Sequence, residues 1–241
     1  MKKIFLTICG VALLFLAGCS SPRSISDSGY ASDASIRYRQ RTNAFKGELS
    51  EIEVLGIERN PKITEQDIAA ALDSASGVKI RKGGNVLLVQ SGATYPDEPM
   101  IAGLSQSLIV TPFDGQPGQF DKENYSKALR FAAARGGCET IVCYWGVLES
   151  SRQNLDSKFV SWVPVVGSVV PDEHQHMRIR LRIAIVDVRS GHWAMFSPEP
   201  FVDSAVSMRL GRERSDQAQV NRLKQNAYAA ATRDLLKQYV N

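Results

Sequence analysis

Three apolar runs constrain the fold of this chain more than any other feature. Val86-Leu87-Leu88-Val89 is the first, Leu108-Ile109-Val110-Thr111-Pro112-Phe113 the second, and Ile141-Val142-Cys143-Tyr144-Trp145-Gly146-Val147-Leu148 the third. None alternates with polar residues, so each suits a strand covered on both faces, as in a parallel sheet. Between the second and third, Tyr125, Ala128, Leu129 and Ala132 recur at helical spacing. Asp121 is placed to cap that helix, Phe120 to staple it, and Gly136-Gly137 to end it. Between the first and second, Pro96 to Gln106 carries Met100, Ile101 and Leu104 and reads as a short helix or irregular loop. The order strand, helix, strand, helix, strand implies right-handed crossovers on a parallel core.

The rest of the chain adds antiparallel and helical pieces. Met177 to Val188 alternates, with Met177, Ile179, Leu181, Ile183 and Ile185 on one face and Arg178, Arg180 and Arg182 on the other. Arg189-Ser190-Gly191-His192 turns the chain, and Trp193 to Ser197 pairs back. A last helix is expected from Ser215 to Tyr239, with Val220, Leu223, Ala227, Ala230, Ala231 and Leu235 inward. The fold class is therefore α/β over 85–241. It is a mixed sheet with a parallel βαβαβ core, a C-terminal antiparallel hairpin and a long C-terminal helix. A strand and helix extend it over 36–84. Glu51 to Ile57 reads as the strand. Thr64-Glu65-Gln66-Asp67 reads as a capping box that opens the helix carrying Ile68, Ala71, Leu72 and Ala75.

The first residues set the compartment. Lys2 and Lys3 precede an apolar run from Ile4 to Leu16, and small residues follow. That order is a secretory signal over 1–18, too short to span a bilayer as a permanent helix. Leu16-Ala17-Gly18-Cys19 resembles the bacterial lipobox, which implies cleavage before Cys19 and acylation of that residue, palmitate included. Ser20, rather than an aspartate, follows Cys19; the resemblance then implies the outer membrane, with the domain facing the periplasm. Residues 19–35 hold seven serines and few apolar side chains, and read as a flexible lipidated tether.

Composition narrows the partners. The formal charge of +4 falls to +2 once Lys2 and Lys3 leave with the signal. That is too small to argue for nucleic acid. Cys138 and Cys143 remain in an oxidising compartment. Five strand residues at ~3.3 Å each would hold them on the order of 16 Å apart, beyond disulfide reach. They read as free thiols, with Cys143 buried.

The element order, the lipobox, and the hairpin Ile183-Ala184-Ile185-Val186-Asp187-Val188-Arg189-Ser190-Gly191-His192-Trp193 together resemble several envelope lipoprotein families. These are the curli-secretion lipoproteins, the outer-membrane lipoprotein activators of penicillin-binding proteins, and the amino-terminal domain of the Tol periplasmic protein. The resemblance implies a module that binds or helps assemble an envelope protein. No pair of long amphipathic hairpins is present, so a curli-type pore is not expected.

Four groups of residues are candidates for function. The apolar stretch Phe159 to Pro171 offers Trp162, Val163, Val165 and Val166 as partner contacts, since a large exposed apolar patch marks an interface. Arg178, Arg180 and Arg182 could meet a lipid or acidic surface; alternating arginines also pair with acids on a neighbouring strand. His174 and His176 are spaced to share a strand face and are weak metal candidates, an incomplete set of ligands. An envelope hydrolase such as a peptidase, using His174 or His176, is the alternative. Gly-x-Ser-x-Gly and His-Glu-x-x-His are both absent, and no Gly-Lys-Ser/Thr follows either glycine pair. The expectation is therefore no enzyme, no cofactor and no resident metal. The membrane, through its lipid, and an envelope protein are the expected partners; the oligomeric state is left open.

Overall fold

The computed structural model describes residues 24–27, 47–57, 62–74, 77–117, 124–153, 160–164, 174–206 and 212–241. After a 3-10 turn, Ile25–Asp27, come helices α1 (Glu51–Leu55) and α2 (Glu65–Ser74). Strand β1 (Asn85–Gln90), helix α3 (Glu98–Leu104), strand β2 (Ile109–Phe113), helix α4 (Tyr125–Arg135) and strand β3 (Thr140–Gln153) form the parallel core. Strands β4 (Val160–Pro164), β5 (His174–Asp187), β6 (Trp193–Phe196) and β7 (Phe201–Val206) are antiparallel to their neighbours. Helix α5 (Arg212–Tyr239) closes the chain.

The expected mixed sheet is present, and it has two tiers. The first runs β2-β1-β3-β5-β6. The second is built on the far halves of β3 and β5, with β4 beside β3 and β7 beside β5. Residues 140–144 of β3 pair with β1, and 149–153 pair with β4. The interval between them is bridged by Ser24, which lies antiparallel to Val147.

Strand periodicity sorts the core into two layers, because successive side chains face opposite ways. Val86, Leu88, Val142, Tyr144, Ile183 and Ile185 pack beneath α3 and α5. Leu87, Val89, Ile141, Cys143, Trp145 and Val186 pack beneath α1 and α4. Cys138 and Cys143 are free and buried. Burial, then the nearby charges of Glu48 and Glu51, push the Cys143 thiol well up, which keeps it protonated and unreactive.

Several expectations are corrected. Glu51–Leu55 is a helix, not a strand. Its acids sit in the first turn, where the helix dipole favours them, and Gly56 closes it at φ 72°. Only Val54 needs burial; Ile52 and Ile57 are exposed, so alternation there was incidental. The Thr64 box forms as expected: Asp67 N–H donates to Thr64 Oγ1, and Thr64 N–H donates back to Asp67 Oδ2 at 2.8 Å. These bonds hold the Asp67 carboxyl below its usual range. Yet Ile68, Ala71 and Leu72 on that helix are exposed rather than inward. Strand β3 runs on to Gln153, through what reads as a polar connection from Glu149, and β7 has no counterpart in the expected pattern. The tether expectation spans 19–35; within it, residues 24–27 are described, with Ser24, Ile25 and Ser26 buried, and the remainder lies outside the described residues. The Asp121 cap lies outside them too.

Candidate functional site

In open parallel sheets, ligands bind beyond the carboxyl ends of strands where successive crossovers leave on opposite faces. Here β1 leaves through α3 on one face, and β2 leaves through α4 on the other. The chain itself fills that crevice. Gly115 lies against Gln90 so closely that a Cβ would stand 1.9 Å from the Gln90 carbonyl oxygen. Ser91 Oγ accepts the Leu49 N–H, and Ser91 O accepts the Ser26 hydroxyl at 2.6 Å.

Beneath this closure lies a buried polar cluster. Asp97 and Lys224 are each about 95% buried and form an ion pair at 2.8 Å. Asp97 Oδ2 also accepts from Tyr228 O–H at 2.7 Å and from Gln90 Nε2 at 3.3 Å. Gln90 Oε1 in turn accepts from Asp97 N–H at 2.7 Å and from Tyr144 O–H at 2.5 Å. The two tyrosine rings meet edge to face, 5.8 Å apart. Every bond saturates a group that burial would otherwise penalise. With its donors and acceptors turned on one another, the cluster has the character of a structural network.

The tyrosines carry a pH signature. Burial first, then the Asp97 charge, pushes both phenols well above their usual value. A folded-state value raised in this way stabilises the fold below the unfolded-state value and is lost as pH rises. The window therefore opens at about pH 10, where unfolded tyrosines ionise. Urea midpoints should fall between about pH 9 and 11, and the fall should be shallower in a Tyr144→Phe, Tyr228→Phe double variant. Equal slopes would show that other groups control the loss.

The open feature is at the other end of the sheet. A groove of about 650 Å³ runs between α2 and the β5–β6 hairpin, lined by Ile63, Ile68, Leu72, Val78, Trp193 and Ala194. Leu72 is 71% exposed and Trp193 47%, which is unusual for side chains of this size. Asp67 and His192 stand at its rim. Strand β6 pairs with β5, and among the described residues no strand covers its outer edge. That edge presents a row of peptide groups beside an apolar trough.

The other sequence candidates are dispersed. Arg178 and Arg180 both pair with Glu149, and Arg182 pairs with Glu51 at 2.8 Å, so the row is knitted into the domain. Trp162 and Val163 lie on β4, opposite Ser151 and Ser150. Val165 and Val166 lie outside the described residues. His174 and His176 are on β5 opposite β7, at the far end of that strand from His192. Among the described residues, no group of three His, Cys, Asp or Glu could hold a metal. No described helix is long and apolar enough to cross a membrane. Sequence reasoning missed the groove because Ile68 and Leu72 carry the same periodicity on an open helix as on a buried one. It missed the Asp97–Lys224 pair because 127 positions separate the partners.

Comparison with known proteins gives a family. Among solved structures, a PelC dodecamer from Paraburkholderia phytofirmans is 14% identical, covering 64% of this chain and 95% of its own, at a TM-score of 0.28. The hypothetical protein CT253 from Chlamydia trachomatis is 12% identical over 65% of this chain and 95% of its own, at 0.34. A neuraminyllactose-binding hemagglutinin homologue from Helicobacter pylori is 10% identical over 68% and 90%, at 0.30. No curated protein matches. Residues 50–238 match the YafT bacterial lipoprotein family, which spans most of the described fold, and the chain belongs to that family.

Proposed function

We propose that this lipoprotein is anchored in the outer membrane through acylated Cys19, faces the periplasm, and acts as a binding or assembly module for an envelope protein. The observation that carries this reading is the apolar groove beside the open edge of β6. An extended apolar segment of the partner fits it, adding its backbone to β6 and its side chains to the trough. The closed crevice above Gln90 removes the place where such folds usually hold a small substrate. The near-neutral mature charge leaves localisation to the lipid. The segment with Trp162, Val163, Val165 and Val166 is proposed as a second contact; Trp162 and Val163 lie on β4, at the opposite end of the sheet.

Photo-crosslinking residues placed at Leu72 and Trp193 should yield a discrete adduct in intact envelopes, and one placed at Lys127 should not. Leu72→Glu should suppress the Trp193 adduct at least several-fold without moving the melting temperature, since the side chain is exposed. Equal adducts from Lys127, or none from the groove, would sink the reading.

A further inference from the structure

The segment Ser24–Asp27 is built into the domain. Ser24 forms a bridge to Val147 in the interval of β3 that neither β1 nor β4 covers. Ile25 is 2% exposed and belongs to the main core. It sits over Gly146, where a Cβ would come 2.6 Å from Ile25 Cδ1. That glycine, inside an otherwise bulky strand, leaves the notch that the isoleucine fills. Ser26 Oγ donates to Ser91 O and accepts from Gln90 Nε2 at 3.0 Å. An apolar lock and two hydrogen bonds therefore hold the chain at this point.

Cys19 lies five residues before Ser24. Five residues span at most about 18 Å even when fully extended. Trp193 of the groove is in register with Val186, which faces Ile141. Ile141 is six residues from Val147 along β3, which is about 20 Å at ~3.3 Å per residue. The half-exposed Arg180 is in register with Val147 and so lies level with Ser24, while Gln153, at the second-tier end of β3, is also six residues from Val147.

We infer that Ser24–Asp27 is a clamp that sets which level of the sheet lies nearest the lipid surface. It keeps the Arg180 level of the sheet nearer the headgroups than either end of β3, the α2–β6 groove included. This rests on acylation of Cys19 under the proposed function. Arg180 then sits where anionic headgroups are close, and the groove stands about 20 Å along the strands from that point.

The test uses the acylated full-length protein in vesicles of phosphatidylethanolamine and phosphatidylglycerol with a headgroup-nitroxide lipid. Fluorophores are attached at Arg180→Cys or Arg189→Cys, the native Cys138 and Cys143 being buried. Quenching at 180 should exceed that at 189 several-fold. Ile25→Asp should erase the difference, because among the described residues the chain is next buried at Leu49, and a leash of that length spans roughly 30 Å. Should Ile25→Asp unfold the domain, inserting about ten Gly/Ser residues after Ser21 serves instead. It leaves the clamp intact, raises the r.m.s. span of the leash from roughly 12 to roughly 21 Å, and should weaken quenching at 180. Equal quenching at both positions in the otherwise unaltered protein would overturn the clamp. So would a difference that survives both changes. Absence of vesicle binding together with an unmodified mass at Cys19 would instead overturn the anchor.

Discussion

Replacing Lys224 with methionine is expected to lower the unfolding free energy by about 3–5 kcal/mol. The substitution keeps the volume of the stem but strands the Asp97 carboxylate in the core with Tyr228 and Gln90 as its remaining partners. Hydrogen bonds from neutral groups do not replace a lost cation, and the carboxylate has no water to turn to. For a domain of this size the melting temperature should drop by about 10 °C. Adding Asp97→Asn should recover much of the loss, since removing both charges is far milder than removing one. Thermal melts of the two single variants and the double variant give the coupling directly. Additive losses in the double variant would show that the pair does not act as a pair.

Gly115→Ala should be of comparable severity for a steric reason. The new methyl would stand 1.9 Å from the Gln90 oxygen and 2.6 Å from the Gln90 carbonyl carbon. Neither backbone can give way cheaply. Gly92 N–H donates to Gly115 O, Gly115 N–H donates to Ala93 O, and the Gln90 side chain is committed to Ser26, Asp97 and Tyr144. The cost should reach or exceed about 3 kcal/mol, the upper end for overpacking. Gly136→Ala is the matched control, because a Cβ there meets nothing closer than 3.5 Å. Urea denaturation should separate the two variants clearly. Similar midpoints would mean that the β1 and β2 termini can slide apart.

How much of this was legible in the chain depended on how local each feature is. The apolar runs of β1 and β3 announced strands buried on both faces within a few residues, whereas β2, expected to be covered likewise, is an edge strand with Ile109 and Phe113 exposed. The alternation of β5 was equally local, and its arginines met an acid on the neighbouring strand, as Glu149 shows. Glu51–Leu55 failed because a helix of five residues offers barely more than one turn of pattern, which alternation can imitate. Docking at Ser24–Asp27 left two faint traces: a lone isoleucine in a serine-rich stretch, and a glycine within the third apolar run. Neither is informative alone, since only the fold brings Ile25 onto Gly146. The groove is written in ordinary amphipathic spacing, and exposure depends on what packs against it. Lys224 sits in a helix where lysine is commonplace, so nothing nearby sets it apart.

The buried cluster also bears on how such a chain matures after export. Its members come from the segment near the amino end, from the middle of the sheet and from the last helix. A chain threading through a translocon amino end first delivers Ser26, Gln90 and Asp97 long before Lys224 and Tyr228 arrive. Until α5 has crossed, Asp97 lacks its cation and the apolar layer that α5 covers has no lid. The domain thus has no stable halfway form to rest in while the rest is delivered. Its completion is timed by its last thirty or so residues, which makes the emerging chain a natural client for a holding chaperone.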